Sequence, residues 1–571
     1  MIFTILIWIY IFLLTTFIGH LLFNFCNNFI KSDIKPDPSP AELSMLGIIG
    51  TGTFLSYFSI FYKTGLIANV ILISIVLIYL LFRHKEIFVY FKNQIQRATQ
   101  YSTLVKLLLF LYFALLLFAA QSHPTVADTG IYHAQAIQWI TGFKTIPGLG
   151  NLHGRFAFNN QSFLLEALFS FSFIKPGFFH LVNSYLLLII SFSLILSFQK
   201  RIHSNLIRSL LYAGLLILLQ MFYLVSASSP APDIFSTAGI WFIIIIYLEK
   251  VSFKESNTIY WIILLITSFF LVTAKLSALP VVLIIFLFLL EKDSAVLKRI
   301  SLVFSLGMIV FVPFFIRNYL LSGYLIYPYP FINIFNPDWK IPLAYVHEMK
   351  SVITTHAQSG DWLTRPFSAW FPIWFSHLST GFKILSVFIL LSPILTVTLT
   401  FFCKNIRSSF RSEFRILIIC FLAIIFWFCS APNYRFIYGF LFVYLIITGM
   451  IFLHYFFYES GLLDLFTRFK EKFLKSYFPG LILALIVLCP FVYFLNFNYS
   501  ELKKSTIFPV KYPVAACKSV SINNVKVNIP DDNTYCWNSP VPCSIIQNHI
   551  GITDIELRGK ELEDGFRVKS K

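Results

Sequence analysis

Five ionisable residues stand at the ends of long apolar runs: Asp128 in "ADTGIYH", Asp233 in "SSPAPDIFS", Lys275 in "TAKLSALP", Arg317 opening "RNYLLSGYLIYPYP", and Arg435 in "SAPNYRFIYGF". A charge at bilayer depth costs about 2.5–3.5 kcal/mol, so each needs a reason to be there. Taken singly the reasons are ordinary, because a Lys or Arg at a helix end snorkels to the headgroups and an Asp there caps the helix. Taken together, two carboxylates and three cations suit a pocket for an anionic lipid head group. The cations would bind phosphate and a carboxylate would abstract a proton. Nearby, "PGLGNLHGRF" interleaves glycine with Asn151, His153 and Arg155, a composition that brings backbone close to a ligand and offers donors to sugar hydroxyls. His133 and His153 are alternatively metal ligands, which leaves a divalent metal ion open.

The elements that must position these residues follow from composition. Of 571 residues 57% are hydrophobic and 12% charged, with 67 Phe, and apolar runs of bilayer-spanning length recur from end to end. The expected fold is all-α and polytopic, with about fourteen transmembrane helices near 2–25, 43–62, 66–82, 104–120, 178–198, 206–225, 233–249, 258–273, 276–291, 299–316, 383–402, 414–429, 434–457 and 476–495. The first run lacks a basic leader and a small-residue cleavage site and reads as a retained helix. The net charge of +18 does not indicate nucleic acid, because the basic residues gather in short loops such as "RHKEIFVYFKNQIQR", "QKRIHSNLIR", "EKDSAVLKR", "CKNIRSSFRSEFR" and "RFKEKFLK". With simple alternation all five loops fall on one side, which the positive-inside rule makes the cytoplasm. Both termini then lie outside, together with three long non-helical pieces at 121–177, 317–382 and 496–571, where binding and catalysis usually reside. No phosphate-binding glycine loop for a nucleotide is present.

Five of the eight cysteines lie in or beside apolar helices. Cys517, Cys536 and Cys543 lie in the tail, and "CWNSPVPC" fits a small disulfide between Cys536 and Cys543 in an oxidising compartment, with Cys517 an alternative partner for either. The alternating "VKVNIP" points to a small β-containing cap. The aromatic run "AWFPIWF" reads as an interfacial belt or as a lid that stacks on sugar or docks lipid, with Asp361 and Arg365 just before it.

These motifs and their order resemble the GT-C superfamily of integral-membrane glycosyltransferases, which take sugars from polyprenyl-phosphate carriers and include the protein mannosyltransferases and lipid A aminoarabinose transferases. "ADTGIYH" matches the position of their essential acid, "TAKLSALP" their Lys motif, "RNYLLSGYLIYP" their Arg–Gly–Pro segment and "APNYRF" their later Arg–aromatic pair. Over nearly the whole chain, "ADTGIYHAQAIQWI" and "IPGLGNLHGRFAFNNQSF" also resemble bacterial multi-spanning proteins of undetermined activity. The resemblance implies three extra helices in 1–103, a GT-C-like core in 104–316, a second outer loop in 317–382, further helices in 383–495 and an extracytoplasmic domain in 496–571. It makes Asp128 the general base, Lys275, Arg317 and Arg435 the donor-phosphate ligands, and Asp233 a second carboxylate from another loop. His133, His153 and Arg155 would contact substrate. The implied activity is inverting transfer of a sugar from a polyprenyl-phosphate donor to an envelope glycan, lipid or protein at the outer face of the bacterial cytoplasmic membrane. A flippase or transporter of lipid-linked glycans, or a glycan polymerase, would use the same face.

Overall fold

Hydrocarbon offers no hydrogen-bond partners, so a chain this apolar satisfies its backbone internally, and helices are the direct solution. The computed structural model describes residues 1–30, 37–174, 179–202, 204–252, 258–291, 296–359, 365–459, 478–496, 506–545 and 554–569. Among the described residues ten helices are long and apolar enough to cross a membrane, the mark of a multi-pass membrane protein. Four of the expected segments form shorter apolar helices: Thr103–Ala119, Thr258–Ala274, Leu276–Leu289 and Pro479–Tyr493. The third of these begins as a 3-10 helix over Leu276–Leu283 containing Pro280, and only Ile284–Leu289 is α-helical. Proline removes a backbone donor and disfavours a regular α-helix through this stretch.

Local signals set several helix starts. Ser39 and Glu42 form a capping box at the head of Pro40–Phe61, and Asn205 accepts from the Arg208 N–H at 3.0 Å at the head of Leu206–Tyr223. Helices Ile2–Ile30 and Pro40–Phe61 pack backbone to backbone: a Cβ on Gly47 would stand 1.8 Å from the Thr15 carbonyl oxygen. Small residues permit this approach where lipid leaves van der Waals contact as the main attraction between helices.

Three expectations change. The basic stretch 83–97 is no loop, because helix Leu66–Thr99 runs through it with one non-helical residue at Arg83. The segments 121–177 and 317–382, expected to be non-helical, contain helices among the described residues. The first holds a π-helical turn (Thr129–His133), helices Ala134–Gly142 and Ser162–Phe169 and two 3-10 turns, and the second holds helices Leu343–Ser359 and Phe367–His377. Helix Val296–Ser322 extends past the expected end at 316, so Arg317 lies inside a helix instead of following one. "AWFPIWF" is helical and packed: Trp370 and Trp374 are buried, and Trp374 donates from its indole to the Pro432 carbonyl at 2.8 Å. Asp361 and the loop "RFKEKFLK" lie outside the described residues.

Among its described residues the tail contains two antiparallel pairs, β1 (Cys517–Ile522) with β2 (Val525–Pro530) and β3 (Ile555–Leu557) with β4 (Phe566–Val568). Val525, Val527, Ile555 and Phe566 bury themselves against Ile137, Trp139, Ile146 and Leu149 of the segment 121–177, so the tail caps that segment. At the other end of the helices, Arg201 pairs with Glu249 at 3.0 Å and Arg208 with Glu413 at 2.6 Å. Helix Val182–Ile202, 21 residues long, separates the two ends.

Candidate functional site

Asp128 sits immediately before the π-helical turn Thr129–His133, yet its carboxylate caps nothing. Both oxygens are taken by guanidiniums: Oδ1 lies 2.8 Å from Arg155 Nη1 and Oδ2 lies 3.1 Å from Arg435 Nη2. Arg155 comes from the 3-10 turn Gly154–Phe158, where the buried His153 ring accepts the Arg155 backbone N–H at 3.3 Å on Nδ1. Arg435 comes from the turn Tyr434–Phe436, fixed by Asn433, whose side chain accepts the Arg435 N–H at 3.2 Å.

A second carboxylate joins from another helix. Asp233, in the first turn of Pro232–Ile246, pairs with the Lys275 ammonium and lies 3.8 Å from Arg435 Nε. Arg435 therefore bridges the two carboxylates, and Phe436 stands under the cations, 4.4 Å from Lys275 Nζ and 5.2 Å from Arg435. Five separated points of the chain thus meet in one cluster, with one more cation than carboxylate. Arg435 is the most open of the five, its side chain 44% exposed against 15–18% for the others.

Burial acts to raise the Asp128 carboxyl, but His133, Arg155, Arg435 and Lys275 pull it down and prevail, so it titrates below its ordinary 3.8. Burial lowers His133 to about 3 against the opposing pull of Asp128, and the ring is neutral at ordinary pH. The fixed charges of Arg155 and Arg435 therefore hold Asp128 ionised. His153 is likewise lowered to about 3, by burial and then by Arg155. His133 packs on Phe163, with ring centroids 5.2 Å apart, and His153 on Phe156 at 4.9 Å.

These surroundings do not suit a divalent cation. No group of three or more His, Cys, Asp or Glu side chains with metal-binding geometry occurs among the described residues, and both carboxylates of the cluster are already neutralised by cations.

Arg317 stands apart. It is 3% exposed, and its Nε donates to Asn159 Oδ1 at 2.9 Å while Nη1 donates to Thr145 Oγ1 at 2.6 Å and to Ser59 Oγ. The expected set of donor-phosphate ligands is thereby split, with Lys275 and Arg435 in the cluster and Arg317 in a cleft behind Arg155. Cys536 and Cys543 are joined by a disulfide, and Cys517 is free.

Residues 1–442 match the model of a family described as "Domain of unknown function (DUF8201)". The chain belongs to that family. No curated protein and no solved structure matches it. The matched span contains Asp128, Arg155, Asp233, Lys275, Arg317 and Arg435 and ends before the capping tail.

Sequence reasoning missed the company Arg317 keeps. Ser59, Thr145 and Asn159 lie far apart in the chain, and only Asn159 carries a backbone signal, a left-handed φ of 47°. It also missed Glu166, buried 3.9 Å from His180 and raised by burial to about 8 despite backbone N–H bonds from Val182 and Asn183. A lone Glu within "QSFLLEALFSF" was the available sign.

Proposed function

We propose that the cluster is the active site of an inverting membrane glycosyltransferase of GT-C type that uses a polyprenyl-phosphate sugar at the outer face of a bacterial cytoplasmic membrane. The observation that carries the reading is the meeting of Asp128, Arg155, Asp233, Lys275 and Arg435 at the end of the bundle that also bears the N-terminus and the capping tail. In the reaction Asp128 accepts the proton of an acceptor hydroxyl as that oxygen attacks the anomeric carbon. The bond from this carbon to the phosphate oxygen breaks, its electron pair leaves with the lipid phosphate, and the configuration inverts. Lys275 and Arg435 stabilise the departing charge, and Arg155 holds the base in place. Arg435, the most exposed member, exchanges its carboxylate contacts for the phosphate. Asp128 then loses one guanidinium and becomes a stronger base when the proton must move. The arrangement needs no metal for any of these steps.

The test is transfer by purified protein in lipid vesicles, with a labelled polyprenyl-phosphate sugar and a crude envelope acceptor. Asp128→Asn keeps the shape and removes the proton acceptor, so transfer should fall by about 10²–10⁴-fold while donor binding persists. Full transfer by the Asn variant ends the catalytic role of Asp128. A wild type that moves lipid-linked sugar across the vesicle without transferring it makes the protein a transporter.

A further inference from the structure

The cleft behind Arg155 is lined by three cations, Lys144, Arg155 and Arg317, and by no carboxylate. Arg317 forms its floor. A guanidinium keeps its charge in proteins, and burying a charge without a counter-ion costs several kcal/mol. The three groups that hold Arg317 are neutral oxygens, and among the described residues it forms no ion pair and its Nη2 makes no hydrogen bond. Those oxygens are themselves fixed. Thr145 Oγ1 donates to the Ser59 carbonyl at 2.8 Å, and Asn159 Nδ2 donates to the Phe314 carbonyl at 3.0 Å, which leaves Oδ1 for Arg317. Asn159 does this from its left-handed conformation, a local cost of the kind that accumulates at binding sites. The cleft therefore holds a buried cation in a set orientation with its second amino group uncommitted.

The walls narrow the choice of ligand. Trp139, Phe143 and Phe158 line the cleft, and Lys144 is exposed. Aromatic faces take the apolar face of a sugar ring, and the guanidinium takes an oxyanion. We propose that this cleft binds an anionic sugar, a pyranose bearing a carboxylate or a phosphate, with the oxyanion on Arg317 Nη2 and Lys144 attracting it from the mouth. The assignment rests on the cleft alone and stands whether or not the Asp128 cluster transfers sugar. If it does, Arg155, which lines the cleft and pairs with Asp128, places the bound ring beside the base.

The experiment is calorimetric titration of the full chain in lipid nanodiscs with glucuronate, glucose 6-phosphate, inorganic phosphate and neutral glucose. At least one of the two charged sugars should bind, more tightly than either glucose or inorganic phosphate, and the better of the two identifies the oxyanion. Arg317→Gln should weaken that binding about 10- to 100-fold, the worth of one charge-assisted hydrogen bond. Lys144→Gln, at an exposed position, should weaken it less and reduce its salt dependence. Should Arg317→Gln fail to fold, protection of Arg317 from phenylglyoxal by the charged sugar, read by mass spectrometry on the wild type, decides the matter. Failure of both charged sugars to bind overturns the proposal, as does binding unchanged in both variants or an Arg317 that the sugar does not protect. Arg317 is then a clamp between Ser59, Thr145 and Asn159. These outcomes do not depend on the transfer assay, so failure here and failure of the glycosyltransferase reading are separable.

Discussion

At the scale of single residues, the structure changes what removing a carboxylate should do. As a helix cap Asp128 would be exchangeable for Asn at little cost, but both of its oxygens are spent on Arg155 and Arg435, so Asp128→Asn leaves two cations less compensated. Loss of one partner of a fully buried pair costs about 3–5 kcal/mol, and the partial exposure here reduces that to about 1–2 kcal/mol. The sign of the pH dependence follows from the lowered carboxyl. Stability supplied by ionised Asp128 is fully present above its ordinary 3.8 and is lost as pH falls below that value through the folded-state pKa. Thermal melts of wild type and Asp128→Asn should therefore differ by a constant offset from pH 5 to 8 and begin to converge only as pH falls below 3.8. An offset that changes between pH 5 and 8 would mean that Asp128 is not held ionised by its guanidiniums. Four members of the cluster were legible because a charge beside an apolar helix end is an anomaly in sequence. The fifth, Arg155, was visible only as a donor in a glycine-rich stretch. Arg317 was legible as an anomaly but its setting was not, since its helix continues to Ser322 and turns its side chain toward neutral partners.

At the scale of elements, the turn that carries Asp128 is held from outside by the tail. The Trp537 N–H donates to the Gly130 carbonyl at 2.9 Å, and Gln135 Nε2 donates to the Trp537 and Ser539 carbonyls at 3.1 and 2.7 Å. Trp537 and Ser539 lie inside the loop closed by Cys536 and Cys543. A Cβ on Gly130 would stand 2.7 Å from the Trp537 ring and 2.8 Å from that of Tyr535, so Gly130→Ala must push the cap away from Thr129–His133. Hydrogen exchange over residues 129–142 should accelerate in Gly130→Ala, and likewise in a Cys536→Ser/Cys543→Ser double variant, which loses a cross-link worth about 2–4 kcal/mol. Transfer should fall in parallel. Unaltered exchange in both variants would show that the tail covers the turn without fixing it. The sheet character of "VKVNIP" and the cysteine pair were readable from alternation and spacing. The docking was not, because Gln135 and Ser539 are 404 positions apart and no local pattern records such a pairing.

At the scale of the whole molecule, the apolar runs were legible because a span must cross a fixed thickness; ten of them are helices long enough to do so, and four are shorter apolar helices, among the described residues. What escaped was everything polar that is nonetheless helical, since residues 83–99, 129–142 and 343–359 carry no spanning signal. The sidedness of the bundle is the consequence on which the functional reading depends. The Met1 ammonium lies 3.1 Å from Gln121 Oε1, and the N–H groups of Ile2 and Phe3 donate to the carbonyls of Thr506 and Ile507 at 3.4 and 3.0 Å. The N-terminus, the Asp128 segment and the tail therefore share one end. The basic pairs of Arg201 and Arg208 occupy the other, which the positive-inside rule assigns to the cytoplasm. A reporter active only outside the cytoplasm should then be active when fused after Lys569 and silent when fused after Arg411. Because the tail docks directly on the Asp128 segment, these two fusions also locate the charged cluster. The opposite pattern would put Asp128 and its guanidiniums in the cytoplasm, where the reducing environment disfavours the Cys536–Cys543 bridge, and a lipid-linked donor at the outer face would no longer be tenable.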